Sequence, residues 1–424
     1  MNKTLNKFEI IGGNELNGEI EIQTSKNAVL PIMSASLLLD GKATIKNVPN
    51  ITDVENMKQI LCDLGCQIKE ENRDIEINPK GATNANINCK LMKSMRSSLF
   101  LLGSMLSRFG SCMISLPGGC NIGKRPIDIH ISCLKKLGVG VSRVGEFLFF
   151  NAKYAHAGKV KLRLPSVGAT ENIIQFACKL KGKTTILNPA KEPEIVDLCN
   201  YLNLAGAKIL GAGTDKITIY GVDKLRNTSY TPIGDRIVEG TIMCAVAVAG
   251  GNVTIKNSSA SQNKKIIEML SKMGCQINIK NDIINISKSK ALTSIKEFKT
   301  GYYPKFPTDL QSLMLAVCCS VEGETRIKET LFENRFLIVP ELKKMNAFLK
   351  MQGKRKAIIT GVCKLKGAKV VAKDLRGGAA LVIAALGANG KSIVKNVQFI
   401  DRGYESLETQ LSSLGANIER KWQK

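Results

Sequence analysis

A chain of 424 residues is too long for a single ordinary core and is expected to divide into two or three domains. Its hydrophobic share of 44% excludes large-scale disorder, and its longest apolar runs (29–39, 241–249, 313–319, 379–386) fall short of the roughly 20 residues that span a bilayer. The formal charge of +25 points to anionic partners, but the lysines are scattered and aromatics are only 5%, which argues against nucleic acid and for phosphorylated metabolites.

The opening stretch MNKTLNKFEI has no apolar segment behind its lysines, so a secretory signal is not expected and a soluble cytoplasmic protein is. After the short strand FEIIGG, two patterns alternate along the whole chain. The first is a strongly apolar helix, then glycine, then an alternating strand. Its copies end GKATIKN, GSCMISL, GKTTILN, GNVTIKN, GETRIKE and GKSIVKN, at Gly41, Gly110, Gly182, Gly251, Gly323 and Gly390. The spacings are 69, 72, 69, 72 and 67. The second is an amphipathic helix with a small turn before a strand, as in ILCDLGCQI, CLKKLGVGV, YLNLAGAKI, MLSKMGCQI, LKKMNAFLKM and LSSLGANI. Its turn residues are Gly65, Gly138, Gly206, Gly274, Asn346 and Gly415, spaced 73, 68, 68, 72 and 69, and each is the expected left-handed helix stop. Two interleaved patterns with one period define six units of two helices and about four strands each, an α+β module. The half-way point falls at the turn-rich NTSYTPIG, near 230–234.

The apolar helices begin TSKNAVLPI, KSMRSSLFLL, VGATENIIQF, GDRIVEGTIM, PTDLQSLMLA and DLRGGAALVI. Four of these starts carry a cation: Lys26, Arg96, Arg236 and Arg376. The helix dipole disfavours a cation there by a few tenths to about 1 kcal/mol. Recurrence in equivalent positions points to bound anions, for which helix amides and cations together form a site. The bland alternative is pairing with surface Asp or Glu, which contributes little.

Thirteen cysteines in a chain with no export signal do not suggest a disulfide framework. There is no CxxC pair and only His130 and His156 supply imidazoles, so a zinc site has little support. Cys62, Cys133, Cys178, Cys244, Cys318 and Cys319 lie in helical runs and read as small core residues. Cys120 differs. It sits in the Gly-rich loop SLPGGCNIGKRPIDIHI beside Lys124 and Arg125, a setting that activates a thiol.

At these residues the sequence resembles the UDP-N-acetylglucosamine branch of the enolpyruvyl transferase family, along nearly its whole length. The resemblance is carried by SKNAVLPI, MRSSLFLLGSMLSRFG, SLPGGCNIGKRPIDIHI, LPSVGATENI, EPEIVDL, GDRIVEGT, FPTDLQ, ETLFENRF, DLRGGAALV and FIDRGYE, in order. It implies a two-lobed α+β fold of six βαβαββ units, three per lobe, an inside-out α/β barrel. The first lobe would be 24–234 and the second 1–23 plus 235–424, with chain crossings near 23–24 and 230–234. It implies transfer of the enolpyruvyl group of phosphoenolpyruvate to the 3-hydroxyl of UDP-N-acetylglucosamine, in peptidoglycan synthesis, without metal or organic cofactor.

Carried over by resemblance, Lys26 and Asn27 would contact phosphoenolpyruvate, and Arg125 and Arg402 would hold its phosphate and carboxylate, with Arg376 close by. Cys120 would be the loop thiol of the acid step, and Asp309 the base near the sugar hydroxyl. Arg96, the stretch Arg125, Pro126, Ile127, Asp128 and Ile129, then Ser166, Val167, Gly168 and Leu331 would contact the UDP-sugar. Glu192, Asp235 and Arg335 match family motifs without an assigned role. The chemistry needs an acid and a base at the same carbon on opposite passes, and cations for the departing phosphate. Closure of two lobes would exclude water. Departures from the family pattern are Thr24 and Ser25 before Lys26, Ile338, Asn346, and the basic segment FLKMQGKRKA.

Overall fold

The computed structural model describes residues 6–83, 99–115, 123, 127–362 and 364–422. They form two compact units. One combines the chain up to Gln23 with the chain from Gly234 onward; the other holds most of the chain between Thr24 and Ile233. Each unit has its own hydrophobic core and three sheets.

Five of the six sheets follow one rule. A central strand pairs in parallel with a strand on one side and antiparallel with a hairpin strand on the other. In the unit of the middle chain, Ala43–Ile45 lies between Thr228–Tyr230 and Asp74–Asn78, and Lys183–Leu187 between Lys159–Lys161 and Lys216–Tyr220. The sheet of Ser111–Ser115, Phe147–Asn151 and Gly140–Val144 is all antiparallel among the described residues. In the other unit, Gly251–Lys256 and Gly323–Lys328 repeat the rule. So does Lys391–Lys395, which pairs antiparallel with Asn6–Ile11 instead of with a strand of its own hairpin. Asn6–Ile11 thus stands between strands that follow it by nearly the whole chain, with Asn417–Trp422 on its far side. The next strand, Leu16–Glu21, is the parallel partner of Gly251–Lys256.

The strongly apolar helices are the inner ones. All nine residues of Gln311–Cys319 and all twelve of Leu375–Leu386 are buried, as are nearly all of Arg236–Ala249. In the other unit the inner helices are Lys26–Ala35, Leu101–Phe109 and Val167–Ala177. A helix apolar on every side cannot face water, so sheets and amphipathic helices such as Lys264–Met273 enclose these. Gly103 shows how closely the inner helices approach: a Cβ there would lie 2.2 Å from the carbonyl oxygen of Asn172. The Asn172 carboxamide instead accepts the Gly103 N–H at 2.6 Å.

All six helix stops have positive φ, from 65° at Asn346 to 112° at Gly274, the conformation that glycine and asparagine adopt at least cost. Of the glycines before the strands, Gly41 alone lacks a positive φ; a Cβ there would meet the Asn227 side chain, whose Oδ1 accepts the Lys42 N–H at 2.9 Å. Five of the helix cysteines are buried as expected, but Cys62 is exposed, because it falls on the polar face of Thr52–Asp63. No helix among the described residues is long and apolar enough to cross a membrane.

Candidate active site

In the unit containing the chain termini, three inner helix starts come together around charged side chains. Asp235 caps Arg236–Ala249 by accepting the N–H groups of Ile237 and Val238 at 2.9 and 3.1 Å. Asp374 caps Leu375–Leu386 in the same way, from Arg376 and Gly377 at 3.1 and 2.9 Å. The middle helix is preceded by Pro307 and a single 3-10 turn, Thr308–Leu310, in which Asp309 stands.

Asp309 is held by two guanidinium groups. Arg376 Nη2 donates to its Oδ2 at 3.3 Å, and Arg335 Nη2 pairs with its Oδ1. Both arginine side chains are only 4% exposed, so these are buried charges and not surface pairs. A relay orients Arg335. Its Nε donates to the Thr308 hydroxyl at 3.1 Å, and that hydroxyl donates to Glu329 at 3.0 Å. The other Glu329 oxygen accepts the N–H groups of Leu331 and Phe332 at 2.7 and 3.1 Å. Arg376 lies over the Tyr404 ring, 5.3 Å from its centroid, and the Tyr404 hydroxyl is 2.9 Å from Thr241 Oγ1. Burial alone would pull the Arg376 pKa down, but Tyr404, Asp309 and Asp235 more than offset it, and the guanidinium stays charged. Its Nε and Nη1 are buried without a well-formed hydrogen bond among the described residues.

In the other unit, Lys26 begins an inner helix and is nearly buried, its Nζ 2.6 Å from Asp53 Oδ2 in the first turn of Thr52–Asp63. Asn27 beside it is half-buried. Ser166 caps Val167–Ala177, accepting the Ala169 N–H at 3.4 Å. A Cβ on Gly168 would lie 3.1 Å from His130 Nε2, so the first turns of Val167–Ala177 and Asp128–Lys136 lie side by side. Val167 and Ile129 are half-buried, and Ile127 is buried. Asp128 pairs at 2.6 Å with Arg163 in an exposed bridge that contributes little stability.

The structure thus brings Asp309 and Arg376 into contact and places Leu331 on the relay that orients Arg335. Half-buried Arg402 lies two residues before Tyr404. Arg96, Cys120, Arg125 and Pro126 lie outside the described residues. Sequence reasoning gave no role to Arg335 and passed over Thr308, Glu329, Tyr404 and Asp53. The cations at described helix starts are buried: Lys26 against Asp53, Arg376 against Asp309, and Arg236 over Tyr303 at 5.7 Å. Among the described residues no group of three or more His, Cys, Asp or Glu is placed to hold a metal ion.

Residues 10–411 match the model of the family EPSP synthase (3-phosphoshikimate 1-carboxyvinyltransferase). A relative from Caldanaerobacter subterraneus subsp. tengcongensis, UDP-N-acetylglucosamine 1-carboxyvinyltransferase 2, is 46% identical over 98% of this chain and its own full length. One from Halothermothrix orenii, UDP-N-acetylglucosamine 1-carboxyvinyltransferase, is 42% identical over 98% of this chain and all of its own. Among solved structures, the enolpyruvyl transferase NikO from Streptomyces tendae superposes with a TM-score of 0.89 at 22% identity, covering 99% of this chain and 100% of that one, a likeness of fold. With a family model spanning its helices and sheets and relatives this similar end to end, the chain belongs to the EPSP synthase family of enolpyruvyl transferases, among the UDP-N-acetylglucosamine 1-carboxyvinyltransferases.

Proposed function

We propose that the protein transfers the enolpyruvyl group of phosphoenolpyruvate to the 3-hydroxyl of UDP-N-acetylglucosamine, releasing phosphate, as the first committed step of peptidoglycan synthesis in the cytoplasm. The observation that carries this is end-to-end similarity, at 46% identity, to a relative named for that acceptor. The buried cations at the helix starts support it, since both substrates are anionic. The two compact units, divided at 23–24 and 233–234, are the two lobes in this reading.

The sugar oxygen attacks C2 of phosphoenolpyruvate while C3 gains a proton, giving a tetrahedral phospholactyl species. Loss of phosphate and of a C3 proton then forms the enol ether. Asp309 takes the proton of the 3-hydroxyl, and the Arg335 relay fixes the direction in which its carboxylate faces. Lys26 and Asn27 contact phosphoenolpyruvate. Arg376, Arg402 and Arg125 neutralise the phosphate as it leaves. Cys120 supplies the acid thiol, and Arg96, Arg125, Pro126, Ile127, Asp128, Ile129, Ser166, Val167, Gly168 and Leu331 hold the UDP-sugar.

Phosphate release from phosphoenolpyruvate, measured with UDP-N-acetylglucosamine, with shikimate 3-phosphate and with no acceptor, tests the reading. Release with the UDP-sugar alone, lowered by about 10²–10⁴-fold in Cys120→Ala and Asp309→Ala, is expected. Release with shikimate 3-phosphate, or none from folded protein, would overturn it.

A further inference from the structure

We infer that Gln23 is a positioning residue for Arg402, setting through its carboxamide the loop that carries this arginine; the inference rests on the reading that Arg402 holds phosphoenolpyruvate. Gln23 is 6% exposed. Its Nε2 donates to the Gly403 carbonyl at 3.3 Å, and its Oε1 accepts the Glu405 N–H at 2.9 Å. One side chain thus grips the backbone on both sides of Tyr404, in the residues directly after Arg402. The segment from Asp401 to Ser406 is all turn and bend, with no strand to pair it. Without Gln23, the Gly403 carbonyl and the Glu405 N–H would lose these partners at a buried place, and the loop would shift to regain them.

The grip is anchored to the rest of the cluster. The Gln23 carbonyl accepts the Asp235 N–H at 2.8 Å, and Asp235 caps the helix that carries Thr241. Thr241 meets the Tyr404 hydroxyl, and the Tyr404 ring lies beneath Arg376. The loop is therefore held at its backbone by Gln23, at the Tyr404 side chain by Thr241 and Arg376, and at Asp401, ahead of Arg402, by Arg420 at 2.7 and 2.9 Å. A carboxamide is required because the grip uses one donor and one acceptor. Glutamate would set a second acceptor against the Gly403 carbonyl, and alanine would reach neither group.

The test is steady-state phosphate release by the full-length protein carrying Gln23→Ala, Gln23→Glu or Arg402→Ala, with KM measured for each substrate and the thermal midpoint recorded. Both Gln23 variants are expected to raise the KM for phosphoenolpyruvate about tenfold, the worth of about one hydrogen bond, with the KM for UDP-N-acetylglucosamine within about twofold. Gln23→Glu, nearly the same shape, keeps the test open if the alanine variant fails to fold. An unchanged KM for phosphoenolpyruvate in the Gln23 variants, against a raised one in Arg402→Ala, would overturn the positioning role and leave the reading of Arg402 intact. An unchanged KM in Arg402→Ala would overturn that reading itself. A fall in kcat that only tracks the folded fraction, with both KM values unmoved, would make Gln23 merely structural.

Discussion

Two carboxyl groups near the starts of inner helices meet burial in opposite ways. Asp309 is ringed by cations, with Arg335 and Arg376 both on its oxygens. Glu171, in the second turn of Val167–Ala177, is fully buried, and neither of its oxygens has a hydrogen bond among the described residues. Its burial, reinforced by Glu194 and Glu192, raises its pKa well above the ordinary carboxyl range and favours the neutral acid. The helix module is the same in both units; what differs is the company. Burial alone does not set the charge of a carboxyl near an inner helix start; its neighbours decide whether it carries charge there.

Removing a cation from the first of these sites should break the comparison most. Arg376→Met leaves Asp309 paired with Arg335 and removes one cation from the buried cluster. Phosphate release is expected to fall by about 10²–10³-fold, with stability lower by about 1–3 kcal/mol in urea unfolding. Wild-type stability in that variant would mean that Asp309 does not need its ring of cations.

Asp197 offers a middle case. Burial raises its pKa to about 6, although the Tyr230 hydroxyl at 2.6 Å and the Ile233 N–H at 3.3 Å both favour the charged form. Because the folded value lies above the unfolded 3.8, its contribution is whole below about pH 4 and is lost as pH rises towards 6, by about 3 kcal/mol. Asp197→Asn should flatten that part of the stability curve, followed by urea unfolding between about pH 4 and pH 7. A slope unchanged by the substitution would assign the loss to other groups.

The smallest effect at low pH is expected from Glu171→Gln, which there replaces a neutral acid by a neutral amide of the same shape. With its folded pKa raised, wild-type Glu171 keeps its contribution at low pH and loses it as pH rises through the folded value. The variant should therefore match the wild type below about pH 4 and exceed it in thermal midpoint by a growing margin as pH rises from there. A midpoint lowered equally at every pH would place a partnered carboxylate there.

How much of this the sequence carried depended on distance along the chain. The six helix stops were legible because each is a local requirement: a left-handed residue must follow the last turn, and even Asn346 satisfies it. The buried inner helices were legible from their continuous apolar runs. Asp309 and Arg376, which lie in contact, were both singled out, but the Arg335 relay was not, because Thr308, Glu329 and Arg335 are joined by folding and not by spacing. Gln23 was invisible for the same reason, its side-chain partners lying 380 and 382 residues away. Cys62 was misjudged because membership of a helix says nothing about which face a residue takes.

The pairing of Asn6–Ile11 with Lys391–Lys395 and Asn417–Trp422 has a consequence for how the protein is made. At about 5–20 residues per second, a ribosome delivers those partners roughly 20–80 s after the strand itself. Thr24 to Ile233 can assemble its three sheets in the meantime, each from strands within that stretch. The opening strand must wait, an unpaired β-edge of Phe8 and Ile10 with nothing yet to bury it. It is made about 380 residues before Lys391, its first partner, and over that interval its edge is open to pairing with another nascent copy.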